Sequence, residues 1–218
     1  MMDYAVARNN MVESQIRTNR VTDPRIIGAM SELPRERFLP RNLRGIAYVD
    51  EDIPLGSDRY LMEPLVLARL LQGAEIRDTD VVLNIGAGVG YDAAVISRLA
   101  TTVIGLEADG ALVSQANMTL SALGIDNVVL VEGSLKAGYP RQAPYDVIVL
   151  GGAVDEVPDA FVRQLGPGGR LVGVVMAPGE PGRAMLLLRV GDVVNRRILF
   201  DATTGRLPGF AREPSFVF

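Results

Sequence analysis

From Asp80 onward, apolar residues fall in short unbroken runs separated by glycine-rich and polar stretches. Val81-Val82-Leu83-Asn84-Ile85, Thr102 to Leu106, Val128 to Val131, Tyr145 to Leu150 and Arg170 to Met176 show little period-two alternation. That pattern predicts parallel strands covered on both faces. Between them lie segments with helical spacing: Tyr91 to Leu99, Gly110 to Leu123 closed by Gly124 at C′, and Pro158 to Leu165 ending at Gly166. The alternation predicts an α/β domain with a doubly wound, mostly parallel sheet. Ala184 to Val190 and Val193 to Phe200 flank the turn signal Gly191-Asp192, which predicts an antiparallel hairpin at the C-terminal edge.

The first 75 or so residues have another texture, rich in Arg, Pro and Asp, and predict a helical N-terminal cap. Asp23 is placed to N-cap a helix with Pro24 at its first position, stopped by Pro34, and Pro64 opens a second, more apolar helix. Pro34 to Glu63 reads as a long loop, hence a candidate binding loop. The expected organisation is a cap and acceptor loop over 1–75 and an α/β domain over 76–218, folded as one compact unit. Pro208 to Phe218, with Phe210, Phe216 and Phe218, is expected to pack on the sheet edge.

Composition then removes whole classes of chemistry. The 218 residues include no Cys and no His, which excludes thiol nucleophiles, imidazole general bases and zinc sites of Cys or His. A net charge of −4 argues against a nucleic-acid surface or an anionic-membrane binder. No apolar run reaches the length of a membrane span, and the polar N-terminus does not read as a signal peptide, so a cytoplasmic protein is expected.

The candidate chemistry sits at the first predicted strand. Gly86-Ala87-Gly88-Val89-Gly90 places three glycines where that strand turns into a helix, allowing positive φ and close approach of an anionic or nucleoside ligand to the backbone. The third glycine comes one residue earlier than in the dinucleotide fingerprint. Glu107 ends the second strand about 20 residues beyond the first glycine, where a carboxylate accepts from ribose hydroxyls. Together they predict a nucleoside pocket.

Val21-Thr22-Asp23-Pro24-Arg25, Pro34-Arg35-Glu36-Arg37-Phe38-Leu39-Pro40, Val82 to Tyr91, Ala143 to Val149 and Gln164 to Leu171 together resemble the protein-L-isoaspartate O-methyltransferase family, within the class I S-adenosylmethionine-dependent methyltransferases. The resemblance implies a Rossmann-like fold and S-adenosyl-L-methionine as cofactor. The donor site it implies consists of Asn84, Gly86, Ala87, Gly88, Gly90, Glu107 and Ala108, with Ser134 and Leu135 beside the adenine. It also implies a peptide or protein carboxylate as acceptor, the isoaspartyl carboxylate in the family, and a role in protein repair.

Three positions depart from the family pattern. Its Thr-Ile-Ser-x-Pro loop becomes Tyr60-Leu61-Met62-Glu63-Pro64, so Met62 holds the place of the Ser next to the transferring methyl. Asn84 replaces the usual acid, and Ser134 an Asp. Arg59, Tyr60 and Met62 are therefore the catalytic candidates. Arg59 suits a carboxylate clamp because its planar fork binds carboxylates bidentately, or it is a solvated loop arginine. If the loop is a degraded copy, Met62→Ser raises isoaspartyl activity; otherwise the acceptor has been reassigned, or Met62 is a core filler. A binding protein of the same fold that transfers nothing, and a nicotinamide-dependent oxidoreductase, are the other readings. The early third glycine and the long N-terminal cap count against the latter.

Overall fold

A computed structural model describes residues 3–191 and 193–210. Seven strands form one sheet: β3 (Val81–Ile85), β4 (Thr102–Glu107), β5 (Val128–Glu132), β6 (Tyr145–Leu150), β7 (Leu165–Val175), β8 (Arg183–Val190) and β9 (Val193–Asp201). Their order is β5-β4-β3-β6-β7-β8-β9, parallel through β7 and antiparallel over the last two pairings. The predicted doubly wound sheet and its antiparallel edge are both present. β7 begins at Leu165, where Arg170 was expected, because Leu165 pairs with Tyr145 ahead of a register shift. Asp192 of the expected β8–β9 turn, and Phe216 and Phe218 of the tail, lie outside the described residues.

Helices cover both faces. Asp23 caps α2 (Pro24–Glu32) through its side chain, and Pro64 opens α3 (Pro64–Ala74), as the sequence predicts. α1 (Tyr4–Met11) precedes them. α4 (Tyr91–Ile96) follows β3, α5 (Gly110–Ala122) follows β4, and α6 (Asp159–Gln164) precedes β7. Neighbouring strand residues point to opposite apolar layers. Val82, Val147 and Val149 join one with Met11, Leu67 and Val95; Leu83, Ile85 and Ile148 join the other with Phe161. No helix among the described residues is long and apolar enough to cross a membrane.

Two features bear on the site. The stretch read as a loop carries a short hairpin, β1 (Ile53–Gly56) and β2 (Arg59–Leu61). Its turn residues Ser57 and Asp58 both adopt positive φ, 50° and 55°, the backbone twist that suits a tight hairpin. In addition, the chain after β9 returns across the carboxyl ends of the strands. Asp52 holds it there, accepting from Thr204 Oγ1 at 2.6 Å and Gly205 N at 2.7 Å. Ala153 and Leu207 exchange a further contact, with Leu207 N donating to Ala153 O at 2.8 Å.

Candidate functional site

The chain runs from β3 through β4 to β5 on one side of the sheet, then crosses to β6 on the other. The carboxyl ends of β3 and β6 therefore border the crevice where ligands bind in open α/β sheets. The glycine turn lies there. Gly86, Gly88 and Gly90 take φ of 80°, 54° and 88°, values that disfavour any residue with a Cβ. Gly86 N and Ala87 N both donate to Leu106 O, which draws the turn against the end of β4.

Glu107 is 1% exposed at that end, and its two oxygens are fully engaged. Oε1 accepts from Ala108 N at 2.8 Å and Asp109 N at 3.2 Å. Oε2 accepts from Gly88 N at 2.7 Å and from Arg59 Nη2 at 2.8 Å and Nε at 3.2 Å. Arg59 also donates to Gly86 O at 2.8 Å and is 2% exposed. Strand alternation explains its direction: Arg59 and Leu61 of β2 point inward, while Tyr60 points out. Arg59 is thus neither a solvated loop arginine nor a clamp open to an incoming ligand. It covers the glycine turn, so closely that a Cβ on Gly86 would lie 3.2 Å from its guanidinium. Leu207 covers the same glycine from the returning C-terminal segment.

The remaining candidates are scattered. Met62 is 1% exposed and packs in the apolar layer with Leu61 and Leu67, and its carbonyl accepts from Arg35 Nη2 at 2.7 Å. Its side chain is a core filler, not a group facing a reaction space. Tyr60 borders a shallow cleft of about 370 Å³ with Asp58, Thr204, Arg206 and Leu207. Ala87 and Leu135 are buried. Ser134 is exposed just beyond Gly133, whose N donates to Glu107 O at 2.9 Å, so the end of β5 runs alongside Glu107. Gly90 backs onto α5, where a Cβ would meet Ala116 at 3.0 Å.

Two buried oxygens stand out beneath the turn. Asn84 Oδ1 and Asp92 Oδ1 have no hydrogen-bond partner among the described residues, and Asn84 and Asp92 are 0% and 4% exposed. Buried acceptors are almost always paired, and these two share their unpaired state with the buried donors Tyr91 Oη and Arg35 Nη1. Sequence reasoning singled out Asn84 and missed Asp92, whose only signal is an acid two residues after the last glycine.

Burial pushes the Asp92 carboxyl up to about 6, helped by Asp52 and opposed by the Arg35 and Arg59 guanidiniums. Burial, with Asp50, Asp52 and Glu51 nearby, pushes Glu63 up to about 7. Both groups keep a proton in the fold at pH values where the unfolded chain has released it. Their contribution to stability is therefore complete below the ordinary carboxylate range and is lost as pH rises through about 6 to 7. Asp92→Asn should leave stability unchanged near about pH 4 and raise it by about 1–3 kcal/mol near about pH 8, measured by urea unfolding. Equal stability of the two proteins at the higher pH would contradict the buried, uncompensated carboxyl.

Comparison with known proteins extends the pattern over most of the chain. The family model described as Protein-L-isoaspartate(D-aspartate) O-methyltransferase matches residues 6–191. A protein-L-isoaspartate O-methyltransferase of Methanoculleus marisnigri is 40% identical over 168 residues, 77% of this chain and 76% of that protein. Protein-L-isoaspartate O-methyltransferase 1 of Rhodopseudomonas palustris is 39% identical over 192 residues, 87% of this chain and 78% of that protein. Among solved structures, a protein-L-isoaspartate O-methyltransferase superposes with a TM-score of 0.82 at 27% identity, covering 93% of this chain and 66% of that one. A Plasmodium falciparum structure in complex with S-adenosyl-L-homocysteine superposes with a TM-score of 0.78 over 95% of this chain and 99% of that one; at 17% identity it speaks to the fold alone.

Proposed function

The chain belongs to the protein-L-isoaspartate O-methyltransferase family, and on that footing we propose that it moves the methyl group of S-adenosylmethionine onto a carboxylate presented by a peptide or protein. The carrying observation is the turn of three positive-φ glycines facing the buried Glu107 across the β3–β4 ends, inside the stretch that matches the family. Gly86, Ala87 and Gly88 offer backbone, Glu107 the ribose acceptor, and the unpartnered Asn84 and Asp92 oxygens suit the methionyl end. When bound, the cofactor supplies a methyl already activated by its sulfonium. Transfer breaks a sulfur–carbon bond and forms an oxygen–carbon bond.

The rest falls to this chain's residues. The acceptor carboxylate is ionised at neutral pH, so a protein without His needs no general base. Its work is to align the groups and keep water out. Arg59 has a particular part. Ribose hydroxyls need Glu107 Oε2, where Arg59 now donates, so the two compete for one acceptor. With Glu107 Oε2 taken by the ribose, the guanidinium would be free to serve from the hairpin as the clamp for the acceptor carboxylate. Arg59→Ala is expected to tighten S-adenosylhomocysteine binding by about three- to thirtyfold, in keeping with one charge-assisted contact no longer competing, while transfer to peptide falls. Weaker binding in calorimetry would place Arg59 within the donor site and end the competition argument.

The acceptor is tested by transfer of labelled methyl to an isoaspartyl peptide, scored as base-labile ester, with its aspartyl isomer as control. Label on the isoaspartyl peptide alone supports the family's acceptor and a role in protein repair. A second reading, another carboxylate, is favoured by Met62, whose buried side chain leaves the family's Ser position without a hydroxyl. It predicts label on other peptide carboxylates. Binding of S-adenosylhomocysteine without transfer to any carboxylate peptide would contradict both.

A further inference from the structure

Asp92 is the second residue of α4 and packs on the sheet face that also takes Val82 and, two residues on, Asn84. Its Oδ2 reaches the seam between β3 and β6: a Cβ on Gly151 would lie 3.3 Å from it and 2.3 Å from Gly86 O. Only glycine leaves that seam open. Its other oxygen, Oδ1, is unpartnered among the described residues, as is Asn84 Oδ1, while the Asn84 amide reaches Val149 O at 3.4 Å. Among the described residues the nearby cations make no hydrogen bond to Asp92, although Arg35 keeps Nη1 unpartnered and its charge is felt there. Arg59 is paired with Glu107, and Arg35 donates to Ala47 O and Met62 O. Two buried acceptor oxygens, one on a carboxyl group, are matched by a compact cation rich in N–H donors, which is a primary ammonium.

We propose that Asp92 receives the methionyl ammonium of the donor, supplying from the first turn of α4 the negative charge that the amide at Asn84 does not carry. The assignment rests on the donor-binding reading above. It explains why the fold keeps a buried carboxyl whose Oδ1 is unpartnered, at a cost in stability at neutral pH: groups of this kind persist where a ligand uses them.

Calorimetry with two probes tests it. S-adenosylhomocysteine carries the amino-acid end; 5′-methylthioadenosine has the same nucleoside and thioether without it. Asp92→Asn, nearly isosteric and neutral, should lower S-adenosylhomocysteine affinity by about thirtyfold, as loss of one partner of a buried charge pair does, and leave 5′-methylthioadenosine within about twofold. Adding Asn84→Asp to that variant should recover S-adenosylhomocysteine binding by restoring a carboxylate on the same sheet face. An equal loss for both probes, or for neither, overturns the role of Asp92 while the donor site stands. A wild-type protein that binds neither probe overturns the donor reading and this proposal with it.

Discussion

Glu107→Ala should lower folding stability by about 3–5 kcal/mol and remove measurable S-adenosylhomocysteine binding, because it strands the Arg59 guanidinium without its counterion. Arg59 and Glu107 are 2% and 1% exposed, and Gly86 O would remain the only acceptor among the partners found for Arg59. Three backbone N–H groups, of Gly88, Ala108 and Asp109, lose their acceptor in the same step. The pair itself contributes little net stability, since both charges had to leave water; the cost lies in breaking it one-sidedly. The double variant Arg59→Ala/Glu107→Ala should therefore recover much of the lost stability and none of the binding. Urea midpoints and calorimetry on the three proteins separate the two effects. A loss below about 1 kcal/mol in Glu107→Ala would mean that Arg59 finds water once its partner is gone, and that the glycine turn is not sealed by it.

Met62→Ser should destabilise the protein by about 2–5 kcal/mol, the range for deleting a large buried apolar side chain, and gain no isoaspartyl transfer. The loop comparison favours the opposite, a hydroxyl restored where the family has one. The structure explains the difference. The Met62 side chain fills the layer beneath the cap, and Arg35, itself fully buried, anchors the Met62 carbonyl from the other side. A serine there would leave a cavity and a buried hydroxyl with no partner supplied for it. Thermal melts and the labelled-methyl assay read the two halves of the prediction. A stable variant with raised turnover would show that this segment can turn its side chain toward the acceptor.

What the sequence made legible was local. The parallel strands announce themselves as unbroken apolar runs, the helix caps at Asp23 and Pro64 as capping chemistry, and the glycine turn and Glu107 as a spacing along two consecutive strands. What it hid depends on contacts between distant segments. Arg59 meets Glu107 across 48 positions. The hairpin that carries Arg59 has strands of four and three residues, too short for alternation to register against a loop. Leu207 reaches Gly86 only because Asp52 fastens the returning chain at Thr204 and Gly205. Asp92 has the same difficulty: an acid at the start of a helix is ordinary in sequence, and only its burial without a partner marks it.

On the proposed function, Glu107 exchanges one set of donors for another, an arginine of its own chain for the hydroxyls of a bound nucleoside. The crystal structure of the complex with S-adenosylhomocysteine tests this most directly. In that complex the ribose hydroxyls are expected on Glu107 Oε2, with the Arg59 guanidinium withdrawn from it toward the hairpin side of the crevice. A nucleoside bound with the Arg59–Glu107 contact still at 2.8 Å, or bound away from the glycine turn, would contradict it.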